Sequence, residues 1–133
     1  MIDHPRRSVI AVVDDDRGIL ESVESLLNSA DYEVRLFSTA TALLESDGIL
    51  EIDCLISDVV MPLMDGFELA RAVQAARPSL PVIFVTGRPD LLRRSPIDRP
   101  SHYRVFKKPF DGQELLAAVA LMLRTPRPHA PGS

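Results

Sequence analysis

The 133-residue chain has no tryptophan, 5% aromatic residues and a single cysteine, Cys54. One thiol excludes an internal disulfide framework, so the fold must rest on an apolar core, and a reducing cytoplasm is the simplest setting. Cys54 lies inside an apolar run and is expected in that core. No apolar run approaches the ~20 residues needed to cross a bilayer. The start of the chain, Met1 to Arg7, carries basic residues but no apolar stretch of signal-peptide length. No membrane association is therefore expected. An excess of basic charge is also lacking. The formal net charge is −4, which weighs against nucleic-acid binding. The three histidines, His4, His102 and His129, lack metal-ligand spacing and read as surface residues.

What remains suits one domain. Residues 1–7 read as a flexible N-terminus and 125–133, with three prolines, as a flexible tail. Between them, in residues 8–124, short apolar runs alternate with amphipathic stretches. Val9–Val13 is continuous and β-rich, as in a strand buried on both faces. Ile19, Leu20, Val23, Leu26 and Leu27 recur at helical spacing. Further strands are predicted at Glu33–Phe37, Cys54–Ile56 running into Asp58, Val82–Val85 running into Thr86, and Tyr103–Phe106. Helices are predicted around Ala40–Leu44, from Phe67 to just before Pro78, and from Leu115 to Leu123.

Strands alternating with helices imply an α/β fold with a parallel sheet covered on both faces. In such sheets, ligands bind just outside the carboxyl ends of the strands. Asp14, Asp15, Asp16, Asp58, Thr86 and Lys108 all fall at predicted strand ends. Carboxylates gathered there repel one another unless a cation joins them. Hard oxygen ligands suit Mg²⁺, and a lysine and a hydroxyl beside it suit an anion. Together these are the parts of a phosphoryl-transfer site, in which a carboxylate can be the nucleophile. Each piece alone has a plainer reading. Asp14-Asp15-Asp16 also fits a solvated helix start, Asp58 a turn residue, Thr86-Gly87 a simple strand end, and Lys107-Lys108 a solvated charge pair. The joint order and spacing carry the argument. A dinucleotide site is excluded, because acids and not a glycine-rich turn follow the first strand.

Four blocks, in order, resemble the receiver domains of two-component response regulators. These are Val12-Val13-Asp14-Asp15, the segment from Leu55 to Gly66 containing Asp58-Val59-Val60-Met61-Pro62-Leu63-Met64-Asp65-Gly66, then Val85-Thr86-Gly87, and Lys108-Pro109-Phe110. The likeness covers about residues 8–124. It implies a doubly wound, flavodoxin-like sheet of five parallel strands. It implies that Asp58 accepts a phosphoryl group, that Asp15 binds Mg²⁺ directly and Asp14 through water, and that the Val60 carbonyl is a further ligand. Thr86 would hydrogen-bond the phosphoryl group and Lys108 would pair with it. The Lys108–Pro109 bond would be cis, and Gly66 would supply backbone freedom. The implied partner is a sensor histidine kinase or phosphotransfer protein. The domain would catalyse only its own phosphorylation and dephosphorylation. The helix pattern and Thr-Gly turn are closest to receivers that also carry DNA-binding domains, and no such domain is expected here.

The segment between Thr86 and Lys108 departs from the family. Pro96 and Pro100 cannot sit inside a regular helix without loss of hydrogen bonds. A shortened or irregular fourth helix, near Pro89–Arg94, is expected in its place. The family's aromatic switch position is Val105, with Tyr103 on the same strand face as a substitute. Seven basic residues (Arg88, Arg93, Arg94, Arg99, Arg104, Lys107 and Lys108) fall in residues 88–108. They form either a solvated face or a docking site for an acidic protein partner. Arg88 is long enough to lean over the site and shield a bound phosphoryl group. Two other functions compete: a pseudo-receiver that binds partners without phosphorylation, and an aspartyl-phosphate hydrolase. The hydrolase is disfavoured by the short chain and the absence of a clear general acid. Homodimerisation is left open.

Overall fold

The structure is a computed structural model that describes residues 7–90 and 103–124. Among the described residues nine elements follow one another: β1 (Val9–Val13), α1 (Arg17–Ser29), β2 (Glu33–Phe37), α2 (Ala40–Glu45), β3 (Cys54–Asp58), α3 (Gly66–Ala76), β4 (Val82–Thr86), β5 (Tyr103–Lys107) and α4 (Gly112–Arg124). All pairings are parallel and the strand order is β2-β1-β3-β4-β5. This is the order of a doubly wound, flavodoxin-like sheet. The three central strands are buried along their whole length, which explains why their sequences are continuously apolar and do not alternate.

Two apolar cores flank the sheet. Alternate residues of the central strands, such as Val13, Leu55 and Phe84, pack with Leu43 of α2 and Phe67, Leu69 and Val73 of α3. The intervening residues, such as Val12, Ile56 and Ile83, pack with Leu20, Val23 and Leu27 of α1 and Leu115, Val119 and Met122 of α4. Cys54 belongs to the second core and is fully buried. Tyr103 and Val105 share the α2–α3 face, as the strand period requires. The Tyr103 ring meets Phe84 edge-on, with centroids 5.8 Å apart.

Helix starts are specified by side chains. The Asp16 carboxylate accepts from the backbone N–H groups of Gly18 and Ile19 and caps α1. Thr39 caps α2. Asp65 and Glu68 form a reciprocal capping box at α3. Of the expected short helix near Pro89–Arg94, only Pro89 and Asp90 are among the described residues; Pro96, Pro100, the three histidines, the 125–133 tail and nearly all of residues 1–7 lie outside them.

Candidate functional site

The carboxyl ends of β1, β3, β4 and β5 meet at one edge of the sheet. The site is built there from residues far apart in sequence. Asp14 and Asp15 follow β1, Asp58 ends β3, Thr86 ends β4, and Lys108 follows β5. One carboxylate oxygen each from Asp14, Asp15 and Asp58 lie within 4.8 Å of one another. Lys108 Nζ donates to Asp14 Oδ2 at 3.0 Å and to Asp58 Oδ2 at 3.2 Å. The lysine thus joins two of the three acids. Its backbone N–H donates to the Thr86 carbonyl at 2.8 Å, which ties the lysine turn to the end of β4. The Lys108–Pro109 bond is cis, as the resemblance implied.

The electrostatics of the pair are asymmetric. Asp14 is almost fully buried, with its side chain 3% exposed against 20% for Lys108. Burial pushes Asp14 above the ordinary carboxylate range, and the Asp16 N–H and the Lys108 ammonium offset this only in part. Burial also opposes the charge on Lys108. Its hydrogen bond to Asp14 and the charges of Asp14 and Asp58 outweigh that, so Lys108 is held above the usual lysine value. The lysine gains more than Asp14 does because it faces two carboxylates and is less deeply buried.

Hard anionic oxygens at this separation fit Mg²⁺, which commonly takes one or two carboxylates and keeps several waters. Asp15 is exposed, so it has room for such an ion. The site therefore contains what a bound divalent cation and a phosphoryl anion require: carboxylates, a cationic donor and a hydroxyl.

Several expectations are sharpened or corrected. Asp16 stands beside the cluster but is spent on capping α1, so the run of three acids splits into two site acids and one cap. Gly66 is required for a reason other than backbone freedom. A Cβ there would lie 2.1 Å from the Asp58 carbonyl oxygen, while its φ does not fall in the left-handed range. The requirement is steric. Val60 is 49% exposed, and its N–H reaches toward Asp58 Oδ1 at a long 3.4 Å. The buried Thr86 hydroxyl accepts from the Arg88 N–H at 2.9 Å. The Arg88 side chain turns to Asp90, donating from Nε and from a terminal nitrogen at 3.3 and 3.2 Å, and is 62% exposed. It is not laid over the acids. Arg104 and Lys107 are exposed, while Arg93, Arg94 and Arg99 lie outside the described residues.

Two features had no place in the sequence reading. Ser57 is fully buried, and its hydroxyl donates to the Asp58 carbonyl at 2.8 Å. The signal was available, since a hydroxyl at the end of an apolar strand needs a partner. Leu63 has φ 72° and is 93% exposed. The Met64 N–H closes on the Pro62 carbonyl around it at 2.8 Å, a γ-turn with a strained central residue. No sequence signal marks it, because leucine has no preference for that region.

A family model, the response regulator receiver domain, matches residues 10–120. The chain belongs to this family. The receiver is 37% identical over 119 residues to the response regulator protein TmoT of Ectopseudomonas mendocina, covering 90% of this chain and 54% of that protein. It is 33% identical over 121 residues to the transcriptional regulatory protein FixJ of Bradyrhizobium diazoefficiens, covering 91% of this chain and 59% of that one. The receiver thus spans little more than half the length of these curated relatives. Among solved structures it resembles the signal receiver domain of an HD domain-containing protein from Pseudomonas fluorescens (TM-score 0.81, 36% identity, 89% of this chain and 95% of that one). It also resembles the Vibrio cholerae chemotaxis protein CheY4 (TM-score 0.77, 26% identity, 88% and 99%). No helix among the described residues is long and apolar enough to cross a membrane.

Proposed function

We propose that this receiver is a phosphorylation-controlled switch of a two-component system, with Asp58 as the phospho-acceptor. The observation that carries the reading is Lys108 Nζ, which sits within 3.2 Å of both Asp14 and Asp58 beside the third acid, Asp15. The Asp58 carboxylate would attack the phosphorus of a phosphohistidine on a sensor kinase or phosphotransfer protein. An O–P bond forms as the donor's N–P bond breaks, and its electron pair returns to the imidazole nitrogen. Asp14, Asp15, Asp58 and the Val60 carbonyl would hold Mg²⁺, which when bound neutralises phosphoryl charge. Lys108, which donates to Asp58 Oδ2, would exchange that carboxylate oxygen for a phosphoryl oxygen. The Thr86 hydroxyl, on the adjacent strand end, would donate to another.

In this reading the domain acts on no substrate but its own acyl phosphate, works in the cytoplasm and relays its state to a protein target. The exposed basic residues of β5, Arg104 and Lys107, suit an acidic one. Mass spectrometry after treatment with acetyl phosphate and Mg²⁺ tests the proposal. One added phosphoryl group is expected on the wild type and none on Asp58→Asn. An unlabelled wild type, beside a control receiver that labels, would leave a pseudo-receiver that binds partners without phosphorylation.

A further inference from the structure

The phospho-acceptor's own backbone carbonyl is clamped from two sides. On β3, side chains alternate between faces. Leu55 belongs to the α2–α3 core and Ile56 to the α1–α4 core. Ser57 therefore lies on the α2–α3 side and Asp58 on the side of Asp14 and Lys108. Ser57 is fully buried, and its hydroxyl donates to the Asp58 carbonyl at 2.8 Å. Behind the same carbonyl lies Gly66, so close that a Cβ would stand 2.1 Å from the oxygen. The next carbonyl, that of Val59, accepts from the Gly66 N–H at 2.8 Å. Two successive peptide planes, those joining Asp58 to Val59 and Val59 to Val60, are thereby held.

We infer that Ser57 is a positioning residue for the acceptor. Its hydroxyl fixes the Asp58–Val59 peptide from the opposite face of the sheet. That sets the course of the chain leading to Val60, whose N–H reaches toward the Asp58 carboxylate. A buried carbonyl without a donor would rotate to find one, tilting the Asp58–Val59 peptide and displacing the chain that leads to Val60 beside the Asp58 carboxylate. The inference deepens the proposed phospho-acceptor role and rests on it for the labelling step alone. The effect on metal affinity and backbone geometry stands independently.

The test compares Ser57→Thr and Ser57→Val, which have the same shape and differ in the hydroxyl. The readouts are Mg²⁺ affinity by calorimetry, the Asp58 carbonyl ¹³C shift by NMR, and the initial rate of labelling by acetyl phosphate. All are taken well below the unfolding temperature of each variant. Ser57→Thr should match the wild type in all three. Ser57→Val should move the carbonyl shift and lose about tenfold in Mg²⁺ affinity and labelling rate, the scale of one lost buried hydrogen bond. Should Ser57→Val fail to fold, Ser57→Cys, with its weaker donor, is expected to fall between wild type and a full loss. Wild-type behaviour in Ser57→Val, or in Ser57→Cys where Val does not fold, overturns the inference. So does an equal loss in Thr and Val. A wild type that is never labelled, with the Mg²⁺ and ¹³C differences intact, overturns the phospho-acceptor reading and leaves Ser57 as a positioning residue for the metal site.

Discussion

Lys108 Nζ lies 3.2 Å from Asp58 Oδ2, across 50 residues of sequence, and the same nitrogen reaches Asp14. A single cation therefore joins the buried acid that follows β1 to the acid that ends β3. In the absence of metal it does part of the work of a divalent ion: it keeps adjacent carboxylates from repelling one another.

Replacing that cation should separate the two roles. Lys108→Met is expected to lower the stability of the metal-free protein by about 1–3 kcal/mol, less than for a fully enclosed pair because the lysine is partly exposed. It should bind Mg²⁺ several-fold more tightly, since no ammonium competes for Asp14 and Asp58. Urea unfolding in EDTA and calorimetric titration check both. Weaker Mg²⁺ binding in Lys108→Met would show that the lysine organises the acids and does not compete with the ion.

Asp14 and Asp15 should respond differently to loss of charge. Asp15 is exposed, whereas Asp14 is buried and already bound to the Asp16 N–H and to Lys108. Asp15→Asn is therefore expected to weaken Mg²⁺ binding by about tenfold or more, and Asp14→Asn by less. Equal losses in a Mg²⁺ titration would overturn the assignment of Asp15 as the more direct ligand.

Acid stability follows from the direction of the Asp14 shift. Its folded pKa lies above the ordinary carboxylate value, with burial the largest cause. A group raised in this way contributes stability only while it is protonated, at low pH, and that contribution is lost as pH rises through its folded pKa. The help from Lys108 is already contained in that balance. In EDTA at neutral pH, Asp14→Asn should therefore unfold at a higher temperature than the wild type. The difference should shrink as pH falls through the folded pKa and vanish once both folded and unfolded Asp14 are protonated. A variant less stable than wild type at neutral pH would reverse the sign assigned to Asp14.

Two glycines offer a paired test of packing. Gly66→Ala would force a methyl against the Asp58 carbonyl at 2.1 Å, where backbone must yield. A loss of roughly 1–3 kcal/mol is expected, together with weakened Mg²⁺ binding. At Gly87 an added Cβ meets nothing within 4 Å, so Gly87→Ala should stay within about 0.5 kcal/mol of wild type. Chemical denaturation of both variants is sufficient, and similar losses in the two would show that the close approach at Gly66 is relieved without cost.

These residues also show what could be read in advance. Asp14, Asp58, Thr86 and Lys108 were legible because each follows an apolar run, and runs of that kind become parallel strands whose ends converge. The role of Asp16 was not separable from those of its neighbours. Three consecutive acids look alike in sequence, and only the direction of the Asp16 carboxylate, toward the N–H groups of Gly18 and Ile19, makes it a cap. The requirement at Gly66 is steric and does not show in its sequence position. Backbone freedom is a local property, whereas the contact with Asp58 arises from α3 packing against the end of β3. Ser57 is hard to read because it lies in a strand where apolar residues dominate, and its hydroxyl bonds to a backbone atom.

Arg88 provides the last test. Its guanidinium is held by Asp90 and faces solvent, so removing it should leave the unphosphorylated protein and its Mg²⁺ affinity unchanged. Its position two residues after Thr86 still puts a long cationic side chain beside the proposed phosphoryl site. Asp90 and the phosphoryl oxygens would then be rivals for the same donor groups, and Asp90 has the advantage of proximity. On this view Arg88→Ala alone changes the dephosphorylation rate less than twofold, because the arginine is already engaged. Asp90→Ala releases the guanidinium to make charge-assisted hydrogen bonds to the phosphoryl group and should slow hydrolysis by shielding it from water. The double variant, lacking both side chains, should return to the rate of Arg88→Ala. Decay of labelled protein after removal of acetyl phosphate supplies the four rates. Slow hydrolysis that persists in the double variant would place the effect in another contact of Asp90, and faster hydrolysis in Asp90→Ala would mean that the freed arginine stabilises the transition state.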